Sequence, residues 1–236
     1  MAGEAETVVV QPGRGIRASL TDVAYERLRR EIVACKLEPG REFTELDVAE
    51  RLEMSKTPVR EALMRLQFEG LVKAYPRRGY MVEPIKVGDI NDIFDMRVIV
   101  EGGAMELAVQ RAGEEDMDRL AQLAASVSDE LYSKELDRSN SVNNAFHESI
   151  ALAAQNSRLH RTVVQLLREL ERFFYIEAQA AVAYPERYAS HKDIVAAMQR
   201  RDFAMARTAM IDHIEGTRAV LLASIMDGRV RSTLRL

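Results

Sequence analysis

The chain has 236 residues, of which 47% are hydrophobic, and a formal net charge of −4 at pH 7. This length allows one large or two ordinary domains with real cores, and the single cysteine, Cys35, excludes an internal disulfide. No stretch reaches the roughly 18 consecutive apolar residues of a membrane helix, and residues 1–18 lack the features of a signal peptide. We therefore expect a cytoplasmic globular protein with a flexible N-terminal tail over residues 1–18.

Two helices are predicted before residue 55. Ser19–Asp22 and Thr44–Asp47 are capping-box patterns, and each is followed by apolar residues at helical spacing. The first helix is expected to run to about Ala34 and the second to be short. Pro39-Gly40 predicts the turn between them.

The third helix combines two faces with different properties. Its apolar residues recur at i, i+3, i+4 and i+7, a core stripe: Val59, Ala62, Leu63 and Leu66. Hydroxyls and cations group at the other face near its N-terminus: Ser55, Lys56, Thr57 and Arg60. Unpaired N–H groups and the helix macrodipole favour an anion such as phosphate there, as in a helix that reads the major groove. Pro58 sets the start near residues 55–57 and Gly70 sets the end.

A basic hairpin follows the third helix. Two short strands, near residues 73–75 and 80–82, flank the turn Pro76-Arg77-Arg78-Gly79. Three helices and a small two-stranded wing predict a winged helix-turn-helix over residues 19–83.

The distribution of charge agrees with this interpretation. Residues 55–82 contain six Lys and Arg against two Glu, whereas residues 88–236 contain 18 Lys and Arg against 23 Asp and Glu. A basic region inside an acidic protein is typical of a DNA-contacting surface beside a domain with another task. A solvated charged face would give the same count, so charge alone does not decide.

Beyond an extended linker over residues 84–87, the chain is predicted to be mainly α. An all-α antiparallel bundle is expected over residues 88–228, followed by a C-terminal tail over 229–236. About six helices are predicted, near residues 89–111, 114–133, 139–155, 157–179, 185–200 and 202–226.

Polar residues on the inner faces of this bundle are candidate ligands. His191 and His213 share stripes with apolar residues and should point inward, and His147 follows Asn143 by one turn. Buried imidazoles need partners, which a divalent cation supplies, although hydrogen-bonded core histidines are the alternative. Arg97 and Glu101 lie one turn apart on a largely apolar face, where a plain intrahelical ion pair is equally plausible.

The stretch Ser55-Lys56-Thr57-Pro58-Val59-Arg60-Glu61-Ala62-Leu63, with Glu69-Gly70-Leu71-Val72 and Gly79, closely resembles the DNA-binding domain of the GntR superfamily of bacterial transcription regulators. The resemblance covers about residues 20–83. It implies that Ser55, Lys56, Thr57 and Arg60 lie at or near the major groove. It also implies that Arg77, Arg78 and Gly79 form the wing tip at the minor groove. Leu46 stands where many members have a DNA-contacting arginine.

A second resemblance covers about residues 88–226. Asn143-Asn144-Ala145-Phe146-His147, His191-x-x-Ile194 and His213-Ile214 are similar to FCD, the effector domain of the FadR-type branch. It implies that His147, His191 and His213 hold a divalent metal, zinc or nickel. Asn143 stands at the family's aspartate position, as a weaker or water-mediated ligand. Arg97, with Glu101 beside it, would help to bind a carboxylate effector.

The patterns and the two resemblances together imply a homodimeric, non-enzymatic transcription regulator, a repressor, that binds an inverted-repeat operator in double-stranded DNA and responds to a small organic acid. Two alternatives remain open: a metal-dependent enzyme using an open position on the three histidines, and an architectural DNA-binding protein whose bundle only dimerises. At single residues, Ser55 or Thr57 could be only a helix cap, Arg60 could pair with a carboxylate, and Gly79 could be a turn glycine.

Overall fold

The computed structural model describes residues 19–130, 136–180 and 188–226. Its N-terminal elements are α1 Leu20–Val33, β1 Glu42–Phe43, α2 Glu45–Leu52, α3 Lys56–Phe68, β2 Val72–Tyr75 and β3 Gly79–Val82. Its later helices are α4 Val87–Arg111, α5 Glu114–Glu130, α6 Leu136–Ala153, α7 Ser157–Ala180, α8 His191–Gln199 and α9 Phe203–Met226. The two predicted tails, residues 1–18 and 229–236, lie outside the described residues.

The predicted capping boxes begin the first two helices. Ser19 caps α1 and Thr44 caps α2, and the reciprocal side chains are Asp22 and Asp47. Each box pairs backbone N–H groups that the first turn leaves open. Both predictions are confirmed.

The third helix has the bounds and the buried face that its pattern predicts. Pro58 is the third residue of α3, and Gly70, with φ +72°, lies just past its C-cap residue Glu69. The buried residues of α3 are Pro58, Val59, Ala62, Leu63 and Leu66. This stripe joins α1, α2 and the strands in one apolar core.

The wing has three strands rather than two. β2 and β3 form the predicted antiparallel hairpin, and β1 pairs with the other edge of β3 through Glu42 with Met81 and Phe43 with Tyr80. The two-stranded prediction was incomplete because a strand of two residues carries no alternation pattern and exists only through its pairing with a distant partner.

The helices α4 to α9 pack around a second core, which begins at Ile85 and includes residues of every one of these helices. α4 is the central helix, and it contacts α6, α7 and α9.

The predicted helix over residues 185–200 begins instead at His191, since Ser190 and Asp193 form a capping box there. The prediction also included residues 185–187, which are outside the described ranges. The domain boundaries around residues 84–87 stay a prediction.

None of the helices in the described ranges is long and apolar enough to cross a membrane.

Candidate functional site

The N-terminus of α3 presents its hydroxyls and cation to solvent. Ser55, Lys56 and Thr57 are all exposed. Ser55 is the N-cap residue by its backbone conformation, but its side chain makes no capping hydrogen bond. The capping alternative therefore does not use up this hydroxyl. Exposed donors at a helix N-terminus are suited to a phosphate oxygen.

Arg60 projects from the same face one turn later and already has a carboxylate partner. Its Nε and Nη2 donate to both Glu45 oxygens of α2 at 2.8 to 3.1 Å. Tyr80 Oη in the wing donates to Glu45 Oε1 at 3.3 Å. Arg60 lowers the pKa of the Glu45 carboxyl, chiefly by this hydrogen bond. The ion-pair alternative for Arg60 thus occurs, yet its side chain is 59% exposed, so the guanidinium remains accessible.

The wing tip carries Arg77 and Arg78, which are both exposed. Arg77 adopts a left-handed backbone conformation with φ +66°, and Arg78 Nη2 lies 4.0 Å from Glu42 Oε2. Gly79 has φ +99°, and a Cβ there would lie 2.4 Å from the carbonyl oxygen of Phe43 in β1. Gly79 is therefore required by the close approach of β1 as well as by the turn.

Three imidazoles from three helices meet inside the bundle. His147 on α6, His191 on α8 and His213 on α9 each offer a ring nitrogen, and these atoms all lie within 4.8 Å of one another. All three side chains are buried, which confirms that His191 and His213 point inward. The ring of Phe146 packs edge-on against His191 with 4.5 Å between centroids.

Hydrogen bonds fix the tautomers of two of these rings. Nδ1 of His147 lies 2.6 Å from Glu101 Oε2, and Nδ1 of His213 lies 3.0 Å from the carbonyl oxygen of Ala189. Since both oxygens are acceptors, each Nδ1 carries a proton, and in the neutral ring the lone pair is then on Nε2. Histidines that bind metals usually donate their other N–H to a carboxylate or backbone carbonyl in this way.

Two buried ring nitrogens of the group find no hydrogen-bond partner among the described residues. Nε2 of His147 and Nε2 of His191 are buried and have no partner within the described part of the chain. A buried polar atom without a partner is costly, and a cation bound by its lone pair removes that cost. The three histidines therefore fit a divalent metal.

The electrostatics of the group keep two imidazoles neutral. Burial lowers the pKa of His213 to about 3 and, together with the neighbouring imidazoles, lowers the pKa of His191 well below 6.5. A neutral imidazole is the form that binds a metal ion. Burial opposes the charge of Glu101, but Arg97 and His147 outweigh it and lower the pKa of this carboxyl to about 2.

Arg97 and Glu101 lie next to the histidines. Both side chains are buried, and Arg97 Nε donates to Glu101 Oε1 at 2.6 Å. The intrahelical ion pair thus occurs, and it extends further, since Glu101 also binds His147 and Arg97 Nη2 lies 3.4 Å from the same ring. The carboxylate beside the histidines is therefore engaged through both oxygens.

Two asparagines precede His147 on α6. Asn143, the predicted weak ligand, is half-buried one turn before it. Asn144 was not among the predicted site residues, but its Oδ1 is buried and has no hydrogen-bond partner among the described residues. Its spacing of three residues from His147 was the available signal. His160, the remaining histidine of the bundle, lies outside this group, and its Nε2 is 2.9 Å from Glu148 Oε1.

Two family models match the chain. The model described as bacterial regulatory proteins, gntR family, matches residues 20–82, and the FCD domain model matches residues 92–216. The first covers α1 to the end of β3, and the second covers the residues of the histidine group.

Curated relatives and solved structures agree with these matches. The chain is 29% identical to the HTH-type transcriptional repressor RspR of Escherichia coli over 81% of this chain and 84% of that protein. It is 27% identical to the HTH-type transcriptional repressor GlaR of the same species over 80% of this chain and 90% of that protein. The solved structure of E. coli McbR/YncC has a similar fold, with a TM-score of 0.69 at 21% identity, and the match covers 88% of this chain and 99% of that chain.

Proposed function

Because this chain belongs to the GntR family of bacterial transcription regulators and carries an FCD domain, we propose that it is a repressor whose operator binding is controlled by a small carboxylate bound next to a divalent metal in the bundle. The observation that carries the effector half of this proposal is the buried group of three histidines, with ligand atoms within 4.8 Å of one another. The repressor direction follows the names of the relatives RspR and GlaR.

The DNA-contacting surface of this proposal is the α3 tip with the wing. Ser55, Lys56 and Thr57 would contact phosphates or base edges at the major groove, and Arg60 would join them. Glu45 then has a positioning role, since it holds the Arg60 guanidinium through both Nε and Nη2 before DNA arrives. The wing tip, with Arg77, Arg78 and Gly79, would reach the minor groove.

The metal would be held by His147, His191 and His213. Three neutral ligands leave positions for further ligands, and Asn143 would fill one of them directly or through water. Zinc and nickel both accept imidazole nitrogen. When bound, the metal supplies a positive centre for a carboxylate oxygen. Glu101 and the Ala189 carbonyl orient two of the rings through Nδ1, so the lone pairs are directed before any ion arrives.

The effector in this proposal is a small organic acid, and Arg97 would recognise its carboxylate. A buried guanidinium can form two parallel hydrogen bonds to a carboxylate, which is stronger and more specific than a single contact. Arg97 is 1% exposed and lies beside His147, so one short molecule could contact both Arg97 and the metal.

A homodimer would present two winged units to the two halves of an inverted repeat. The helix α4 carries apolar side chains that lie open to solvent, with Ile99 66% and Met96 44% exposed. We propose that this stripe packs against a second copy of the chain, because burial of large apolar side chains is the usual source of stability in such interfaces.

Glu101 argues against the alternative of a metal-dependent enzyme. Such an enzyme needs a carboxylate or another base that is free to take a proton. Within the described residues, Glu101 is a carboxylate that contacts the group of three histidines. Both of its oxygens are already held, one by Arg97 and one by His147. Its pKa of about 2 makes it a weak base.

The test combines metal analysis with ligand titration. The purified protein should contain a divalent metal near one per chain, and a variant with all three histidines changed to alanine should lose it. Small carboxylates are then titrated into the protein with and without an operator selected from genomic fragments. If the effector releases DNA, it must bind more weakly when DNA is present, by the same factor. Equal affinities would remove the regulatory part of the proposal, and unchanged metal content in the triple variant would remove the metal.

A further inference from the structure

We infer that Arg29, Glu171 and Arg172 form a latch that positions the winged unit on the bundle; this inference rests on the proposed function. Arg29 lies on α1, and its Nη2 binds Glu171 Oε2 of α7 at 2.6 Å. These two residues are 142 positions apart in the chain, and the helices that carry them contribute to different cores. The ion pair therefore crosses from one folded unit to the other.

Arg29 also reaches the C-terminal end of α3, the helix proposed to contact the major groove. Its Nε lies 3.4 Å from Oε2 of Glu69, the C-cap residue of α3, and Tyr25 donates to the other Glu69 oxygen at 2.5 Å. One guanidinium thus binds α3 and α7 together. The three charged side chains are only 18% to 19% exposed, so water competes less with these contacts than on an open surface.

Arg172, the next residue of α7, holds the linker. It is 6% exposed, and its Nη2 donates to the backbone carbonyl of Glu83 at 2.7 Å. Within the described residues its Nε has no hydrogen-bond partner. A buried cation with so few acceptors contributes little net stability, but it determines the path of the chain between the two units.

The same helix connects the latch to the candidate metal centre. Val163 and Leu167 of α7 pack against Ala151 of α6, and Val100 of α4 packs against this cluster. Ala151 follows His147 by one turn, and Val100 precedes Glu101. Leu167 precedes Glu171 by one turn, so a shift of α7 caused at the site would move the latch.

Such a latch matters because a dimer reads two half-sites at once. The two α3 helices must be separated by about one turn of DNA, roughly 34 Å, or a multiple of it. An orientation held in part by ion pairs is one that a bound effector can change.

The experiment removes the crossing ion pair and measures tolerance of operator spacing. Glu171→Gln keeps the size of the side chain and removes its charge. Glu106→Gln is the control, since it removes an ion pair with Arg207 that joins α4 and α9, two helices of the bundle, and does not cross to the winged unit. Operators are compared at their natural half-site spacing and with two base pairs inserted, and the thermal stability of each variant is measured alongside.

We expect the insertion to weaken binding by the wild type and the Glu106→Gln control by about tenfold, and binding by Glu171→Gln by about twofold. A general loss of structure would lower the affinity for both operators equally. The ratio of the two affinities, for the natural and for the lengthened operator, therefore reports on the positioning of the winged units. Hydrogen exchange at the Glu83 amide, which donates to the Leu71 carbonyl, should become faster in Glu171→Gln only.

Two results would contradict the latch but not operator binding itself. One is the same loss of affinity on insertion in Glu171→Gln as in the wild type, and the other is no such loss in the wild type. A wild-type protein that selects no operator at all would instead overturn the proposed function, and the latch with it.

Discussion

Arg60 with Glu45 and Arg97 with Glu101 join the same two residue types in opposite surroundings. In the winged unit the side chains are 59% and 22% exposed, and in the bundle they are 1% and 2% exposed. Both pairs have short N–O distances, 2.8 Å and 2.6 Å. Distance alone therefore does not reveal what each pair contributes; the solvent around it does.

The exposed pair can exchange partners at little cost. Water and salt screen Arg60, so leaving Glu45 for a phosphate or a base edge replaces one solvated contact by another. This suits a surface that must bind and release DNA.

The buried pair cannot exchange partners so freely. Removal of either charge would leave the other without compensation in a low-dielectric interior. A carboxylate effector, however, could share the Arg97 guanidinium and so provide a compensating charge itself. Burial thus makes the bundle site selective, whereas exposure makes the α3 tip adaptable.

The largest expected effect is that of Glu101→Ala. This change leaves Arg97 buried without its carboxylate and His147 without its acceptor, so the free energy of unfolding should fall by about 3–5 kcal/mol. Urea unfolding followed by circular dichroism measures it. The double variant Arg97→Met with Glu101→Leu is the control, since apolar replacement of both partners should restore the part of the loss that comes from the uncompensated Arg97 charge. His147 lacks its acceptor in both variants. A double variant less stable than Glu101→Ala would contradict this reasoning.

The second effect is the loss of stabilisation by metal in His191→Leu. For the wild type stripped with a chelator, zinc at 100 times its dissociation constant should raise the free energy of unfolding by about 2.7 kcal/mol. His191→Leu should lose this response while remaining as stable as the metal-free wild type, because the unpartnered Nε2 is gone. His160→Leu should keep the zinc response, since His160 pairs with Glu148. A full zinc response in His191→Leu would exclude this histidine as a ligand.

The features of the site that local pattern determines were predictable from sequence. Capping boxes gave the starts of α1 and α2, and helical spacing gave the buried stripe of α3 and the inward direction of His191 and His213. These features depend on residues within one or two turns of each other.

Contacts between distant residues were not predictable in the same way. Glu101 meets His147 across 46 positions, and Arg29 meets Glu171 across 142. Periodicity shows that a side chain points inward, but the partner it finds there depends on how the helices pack. The start of α8 differs in kind, because the Ser190–Asp193 box was visible in the sequence and was missed.

The third effect concerns the wing and compares two glycines of positive φ. In Gly79→Ala the new Cβ would meet the Phe43 carbonyl oxygen at 2.4 Å, whereas in Gly70→Ala no atom of the described residues lies within 4 Å of the new Cβ. Gly70→Ala should lower the free energy of unfolding by about 1 kcal/mol through backbone strain alone. Gly79→Ala should lose more, about 2–3 kcal/mol, since β1 must also move. Equal losses in thermal unfolding would mean that the contact with β1 is unimportant.

The smallest effect on stability, and the most specific for DNA, is expected of Arg60→Ala. Its exposed ion pair contributes little to folding, so the unfolding midpoint should hardly change. Operator affinity should nevertheless fall by about tenfold or more, since a base or phosphate contact is lost. Arg27→Ala is the matched control, because Arg27 is a similarly exposed arginine on α1 that pairs with Glu31. If Arg60→Ala bound the operator as tightly as Arg27→Ala, then Arg60 would serve only to pair with Glu45, and reading of the major groove would have to depend on Ser55, Lys56 and Thr57.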